Sequence, residues 1–97
     1  MKILLVCGAG MSTSILMNKM KKYAEDNGIE LEISATSVES AAEVSANYEV
    51  ILMGPQVSYR KGDVESSTGK PVAVIPPADY GMANCPNVFK LAQDLLG

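Results

Sequence analysis

Four short apolar runs are spaced along the chain: Ile3-Leu4-Leu5-Val6, Leu31-Glu32-Ile33, Val50-Ile51-Leu52-Met53 and Val72-Ala73-Val74-Ile75. The first, third and fourth are continuous and rich in branched residues, the pattern of strands buried on both faces. The second alternates, with Glu30 and Glu32 directed away from Leu31 and Ile33, and reads as an edge strand with one solvated side. Helical patterns fill the gaps. Leu16, Met20, Tyr23 and Ala24 recur at helical spacing, and Gly28 stands where that helix should end. Thr36 or Ser37 is placed to cap a second helix, with Glu39 or Glu43 in its opening turns. The stretch 57–69 offers only Tyr59 and Val64 as an apolar face and predicts a short, irregular helix. The last helix is clearer: Asn84 caps it, Pro86 sits in its first turn, and Val88, Leu91, Ala92 and Leu95 form its inner stripe.

Strand alternating with helix implies an α/β protein with a parallel sheet and helices on both faces, a three-layer sandwich. With the second strand at an edge, the natural four-strand order is 2-1-3-4. No repeat, low-complexity tract or interdomain linker interrupts residues 1–97, so the expectation is a single domain.

Composition narrows the chemistry. The 97 residues carry 8 Lys+Arg, 11 Asp+Glu and no histidine, for a formal net charge of −3. That balance argues against nucleic-acid binding, which calls for a basic stripe. Without histidine the chain lacks the commonest general acid/base and the commonest metal ligand, so a His-based triad or a phosphohistidine carrier is excluded. Neither metal nor cofactor is expected. The apolar runs reach about five residues, far short of the roughly 18 of a membrane span. No signal-peptide pattern is visible. Two cysteines, Cys7 and Cys85, in a chain without export signals fit free thiols in a reducing compartment. The expected location is the cytoplasm.

The most informative segment is Cys7-Gly8-Ala9-Gly10-Met11-Ser12-Thr13-Ser14, between the first strand and the first helix. In a 2-1-3-4 sheet, ligands bind at the carboxyl ends of the strands, beside the point where strands 1 and 3 leave in opposite directions. The two glycines let successive N–H groups converge into an anion-binding nest. The helix start adds its dipole and unpaired N–H groups, and Ser12, Thr13 and Ser14 add hydroxyl donors. A cysteine facing such an array is expected to react as a thiolate. A nucleophilic sulfur beside an oxyanion cradle suits attack on phosphorus and a phosphocysteine intermediate. Two nucleotide motifs are absent: Gly8-Ala9-Gly10 lacks the third glycine of GxGxxG, and Gly69-Lys70 is followed by Pro71 and has no glycine at position 64.

The layout resembles low-molecular-weight phosphotyrosine phosphatases and the related arsenate reductases, whose phosphate loop after strand 1 reads Cys-x5-Arg. In that pattern the arginine clamps the phosphoryl group bidentately. Here the matching position is Thr13, and the chain's one arginine is Arg60. Asp79-Tyr80 could stand for a phosphatase general-acid loop but reads better as a solvated loop after Pro76-Pro77. A carrier, which must hold phosphate without hydrolysing it, fits neutral donors better.

A more specific resemblance is to the IIB components of the bacterial phosphoenolpyruvate-dependent sugar phosphotransferase system, lactose/cellobiose (chitobiose) class. It rests on residues 3–14, on Leu52-Met53-Gly54-Pro55-Gln56-Val57 and on Tyr80-Gly81. The resemblance implies that Cys7 accepts phosphate from a phosphohistidine of a IIA partner. Cys7 would then pass it to a β-glucoside-type disaccharide (cellobiose, chitobiose or lactose class) bound by the membrane component IIC. The loop Gly8–Ser14 would cradle the phosphate, and the chain, a monomer, would visit the inner face of the membrane only with IIC. Gln56, at the end of strand 3, is a candidate site residue, and Tyr80 and Met82 are candidate interface residues, as is Met11. Met17, Met20 and Met53 read as core, and Lys19, Lys21 and Lys22 as a solvated face. Cys85 lacks a glycine nest and reads as structural; pairing with Cys7 is left open.

Overall fold

The computed structural model describes residues 1–7 and 13–97. Strands β1 (Lys2–Val6), β2 (Glu32–Thr36), β3 (Val50–Met53) and β4 (Val72–Val74) form one parallel sheet in the order β2-β1-β3-β4. The expected order is borne out. In the central strands, Val6 stands between Thr36 of β2 and Met53 of β3.

The continuous apolar runs are buried on both faces, and their alternate side chains go to different cores. Ile3, Leu5, Val50 and Leu52 pack with Leu16, Met20 and Ala24 of helix α1 (Thr13–Asp26) and with Val88, Phe89 and Ala92 of the last helix (Cys85–Leu96). Tyr23 and Phe89 stack across these two helices with ring centroids 5.2 Å apart, adding shape-specific contact to the area buried. Leu4, Val6, Ile51 and Met53 face the other way. There they meet Ala41 of α2 (Ala41–Val44), Val64 of α3 (Lys61–Thr68) and Val57 of the 3₁₀ segment Pro55–Arg60. Met20 and Met53 are fully buried and Met17 partly, as expected of core residues.

The second face is the less regular one. α2 has only four residues and runs into the 3₁₀ turn Ser45–Asn47. Within Pro55–Arg60, Val57 leaves helical geometry (φ −114°), and α3 buries Val64 alone, which matches the short, irregular helix read from 57–69. Two expectations need correction. β2 starts one residue after Leu31 and extends to Thr36, so Thr36 belongs to the strand and caps nothing. Ser37 accepts a bond from the Ser40 N–H (3.3 Å) in a turn ahead of α2, whose own N-cap, Ser40, makes no side-chain capping bond. Residues 79–80, expected in a loop, lie in a short helix α4 (Pro77–Gly81), with α5 (Cys85–Leu96) following. The Asn84 cap is confirmed: its side chain accepts from the Asn87 N–H at 3.4 Å.

Four helices end on a positive-φ residue among those described, α5 on the terminal Gly97 (φ +85°). α1 closes with Gly28 (φ +67°): Ile29 N–H donates to the Ala24 carbonyl (2.8 Å) and Gly28 N–H to the Glu25 carbonyl (3.4 Å), the paired bonds of a Schellman cap. α3 closes on Gly69 (φ +65°). α4 closes with the same paired bonds, Asn84 N–H to Asp79 (2.9 Å) and Ala83 N–H to Tyr80 (3.2 Å), but its left-handed residue is Ala83 (φ +49°). A side chain at that conformation costs about 1–2 kcal/mol relative to glycine's freedom.

Candidate functional site

Cys7 follows β1 directly, so the central strand delivers it to the carboxyl edge of the sheet. Its N–H donates to the Thr36 carbonyl (3.0 Å), while on the other side Gly54 N–H donates to the Val6 carbonyl (2.9 Å). The residue is thus held between the ends of β2 and β3 on opposite flanks of β1, the crevice where this topology places ligands. The thiol is half-buried, and among the described residues it makes a long contact, S–H to the Thr36 carbonyl at 3.8 Å. Such a contact orients the sulfur weakly and leaves it able to turn toward a reactant. Cys85 opens α5 and is buried in the core against α1; burial pushes its thiol up, with nearby Lys19 opposing. Both cysteines are free thiols, so the pairing left open by sequence is not present.

The elements leaving this edge carry Ser14, Gln56, Tyr80 and Met82 among the residues singled out from sequence. α1 starts here, with Ser14 exposed. The expected cradle residues Gly8, Ala9, Gly10, Met11 and Ser12 lie outside the described residues, as does the Thr13 side chain. Gln56 is exposed in the turn that follows β3 and Gly54, one strand from Cys7. Tyr80 and Met82 follow β4, two strand spacings or about 10 Å from β1. Tyr80 is half-buried against the α1/α5 core, whereas Met82 is 77% exposed.

Sequence reasoning missed three participants at this edge. Thr36 fixes the Cys7 backbone through its carbonyl, a role of main chain that no side-chain motif announces. Ile15 (57% exposed) and Tyr59 (80%) join Met82, so three of the four large exposed apolar side chains among the described residues sit on segments that leave the Cys7 edge. The signal for Ile15 was its place off the Leu16/Met20 stripe. Lys19, Lys21 and Lys22 are exposed on α1, a solvated face as expected. Arg60 is committed elsewhere: its Nε donates to Asp63 Oδ2 at 2.7 Å and a terminal nitrogen lies 4.0 Å from Glu39. The hydrogen bond to Asp63 raises its guanidinium above the ordinary value, with both carboxylates adding to the effect. Among the described residues no group of acidic, Cys or His side chains could hold a metal, and no helix is long and apolar enough to cross a membrane.

A parallel 2-1-3-4 sheet between two helical layers, with a free cysteine at the carboxyl end of its first central strand, defines the class of protein. The family model for "PTS system, Lactose/Cellobiose specific IIB subunit" matches residues 2–91, and the chain belongs to that family. It is 42% identical to a cellobiose-specific EIIB component of Lactococcus lactis over 97% of this chain and 94% of that one. It is 39% identical to an oligo-beta-mannoside-specific EIIB component of Bacillus subtilis over 98% and 95%. The solution structure of a cellobiose-specific IIB component from Borrelia burgdorferi superposes with a TM-score of 0.80 at 39% identity, covering 98% of this chain and 90% of that one. The chain is therefore a IIB component of lactose/cellobiose type, a phosphotransferase component that works between IIA and IIC, and the comparisons do not favour the phosphatase alternative.

Proposed function

We propose that Cys7 is the residue on which this component carries phosphate. Its sulfur attacks the phosphorus of a phosphohistidine on IIA in line with the leaving nitrogen. The S–P bond forms as the P–N bond breaks, and the thiol proton leaves with the released imidazole. A sugar hydroxyl bound in IIC then attacks the same phosphorus. The O–P bond forms as S–P breaks, and the hydroxyl proton restores the thiol in the net balance. Such transfers rest on positioning and on donors aimed at the equatorial oxygens, so neither step calls for a metal or cofactor in this chain. The N–H groups of Gly8 to Ser14 and the hydroxyls of Ser12, Thr13 and Ser14 supply those donors. Gln56 borders the site, and Met11, Tyr80 and Met82 meet the partners.

The observation that carries the reading is the contrast between the thiols: Cys7 is half-exposed at the topological switch point, and Cys85 is buried in the core. Absence of histidine supports it, since the imidazole of the relay must then come from the donor. So does the engagement of Arg60 with Asp63, which leaves the phosphate loop without the clamp a phosphatase uses. The sugar is a β-linked disaccharide of the cellobiose, chitobiose or lactose kind, as the cellobiose-specific names of two relatives suggest. The 97 residues act as one IIB domain and as a monomer in the cytoplasm, meeting the inner face of the membrane only through IIC.

The test is incubation with phosphorylated IIA of this class, comparing Cys7→Ser with Cys85→Ser. Loss of labelling and of sugar phosphorylation in the first variant alone is expected. Labelling that survives Cys7→Ser would sink the assignment.

A further inference from the structure

The basic side chains on segments that leave the Cys7 edge fall into two groups. After β3, Arg60 is bound to Asp63 and lies 4.0 Å from Glu39, and Lys61 lies 3.9 Å from Glu65. On α1, Lys19, Lys21 and Lys22 are exposed, and none has an acidic partner within ion-pairing distance among the described residues. Ile15, Lys19 and Lys22 recur at i, i+4 and i+7 and share one solvent-facing stripe, distinct from the buried Leu16, Met20 and Ala24. An exposed apolar residue at the edge is thus followed along the helix by uncompensated positive charge.

Distance decides which of these charges reaches the edge. α1 starts beside Cys7 and runs away from it, so at a rise of about 1.5 Å per residue Lys19 lies about 9 Å from the helix start and Lys22 about 14 Å. Salt damps charge over about 8 Å under physiological conditions. The charge of Lys19 is therefore felt at the edge, and Lys22 adds a smaller share. An independent sign of this reach is Cys85, at the start of α5, whose thiol burial pushes up and Lys19 pulls back down. The whole chain carries a net charge of −3, so an anionic partner meets general repulsion and a local welcome on this face.

The donor of this relay changes charge as it reacts. Its phosphoryl group brings about two negative charges at neutral pH and leaves them on the acceptor. We propose that the α1 face formed by Ile15, Lys19 and Lys22 steers the phosphorylated form of IIA onto the Cys7 edge in preference to the unphosphorylated form. Ile15 meets the donor's surface at the edge, and the lysines behind it supply the field that draws the dianion. After transfer the dianion lies on Cys7, the lysines face a charge on their own chain, and IIA has lost what attracted it, so the dephosphorylated donor leaves. This rests on the assignment of Cys7 as the phosphoryl acceptor. Steering of this kind raises the rate of encounter and leaves the chemical step alone.

Rapid-quench measurement of transfer from phosphorylated IIA, at salt from about 20 mM to about 500 mM, tests the steering. Lys19→Gln combined with Lys22→Gln is expected to lower the second-order rate constant about fivefold at low salt and to flatten its salt dependence. The limiting rate at saturating donor is expected to stay unchanged. Lys19→Arg, which keeps the charge, should keep the rate, as should Lys70→Gln in the turn that enters β4 at the opposite edge. A rate constant and salt dependence unaltered in the double variant overturn the proposal. So does an equal loss of affinity for unphosphorylated IIA, because the lysines would then recognise IIA itself and not its dianion. Label on a residue other than Cys7 fails the acceptor assignment, whereas label that forms on Cys7 at a salt-independent rate fails the steering alone.

Discussion

The two edges of the sheet are built to different standards. At the amino edge the backbone is closed by bonds that tie the strand starts together: the terminal amine donates to the Glu30 carbonyl (2.8 Å), Glu32 N–H to Met1 (2.9 Å) and Glu49 N–H to Lys2 (2.9 Å). The turn from α1 back to β2 uses a glycine-closed cap at Gly28. At the carboxyl edge stand a half-buried thiol, three exposed apolar side chains and a left-handed alanine. One edge spends its residues on stability and the other on access. The same fold supports both because the buried β1 and β3 between them carry the core.

Substitutions should therefore separate by edge. The largest expected effect is at Cys7: Cys7→Ala abolishes phosphoryl transfer, yet stability measured by denaturant unfolding moves by less than about 1 kcal/mol, as is usual away from the core. Transfer that persists in this variant would remove the functional half of the contrast. Next is the core between the edges. Leu52→Ala, at a fully buried position of β3, should lower stability by about 2–5 kcal/mol through lost burial and the cavity left behind.

Smaller and opposite shifts are expected at the two caps. Gly28→Ala has open space around the added methyl, so its cost is conformational alone, about 1 kcal/mol, with transfer unaffected. Ala83→Gly should raise stability by a similar amount, about 1 kcal/mol. Combining the two should return the unfolding midpoint close to the parent's, because the sites are far apart in the fold. Equal signs for the two substitutions would break the comparison.

The smallest effect concerns the second thiol. Burial raises Cys85 in the folded chain, so the unfolded chain ionises first as pH rises. The stability contributed by the neutral buried thiol is present below the unfolded thiol's range and is lost as pH climbs through the folded value. In Cys85→Ala the decline of stability across that alkaline window should be shallower, as unfolding melts at stepped pH would register.

Much of this architecture was legible in the sequence because burial on two faces leaves a continuous apolar run. β1 and β3 are readable for that reason, and the alternation around Leu31 and Ile33 identified the edge strand. What escaped reading is held by main chain. Ser34, Ala35 and Thr36 extend β2 through register with Leu4 to Val6, and small or polar side chains at an edge leave no hydrophobic signature of that. α4 is too short for periodicity, and its two leading prolines read as loop. At the site, Cys7 was legible from the glycines and hydroxyls that follow it. The Thr36 carbonyl and the strained Ala83 were not, since both depend on backbone geometry rather than residue chemistry.

The most direct test of the central claim is peptide mapping of the chain after incubation with phosphorylated IIA. The account predicts one phosphate on the peptide containing Cys7, bonded through sulfur and lost when a sugar-loaded IIC is added. Phosphate on any other residue, or a Cys7 phosphate that a sugar-loaded IIC cannot discharge, would contradict it.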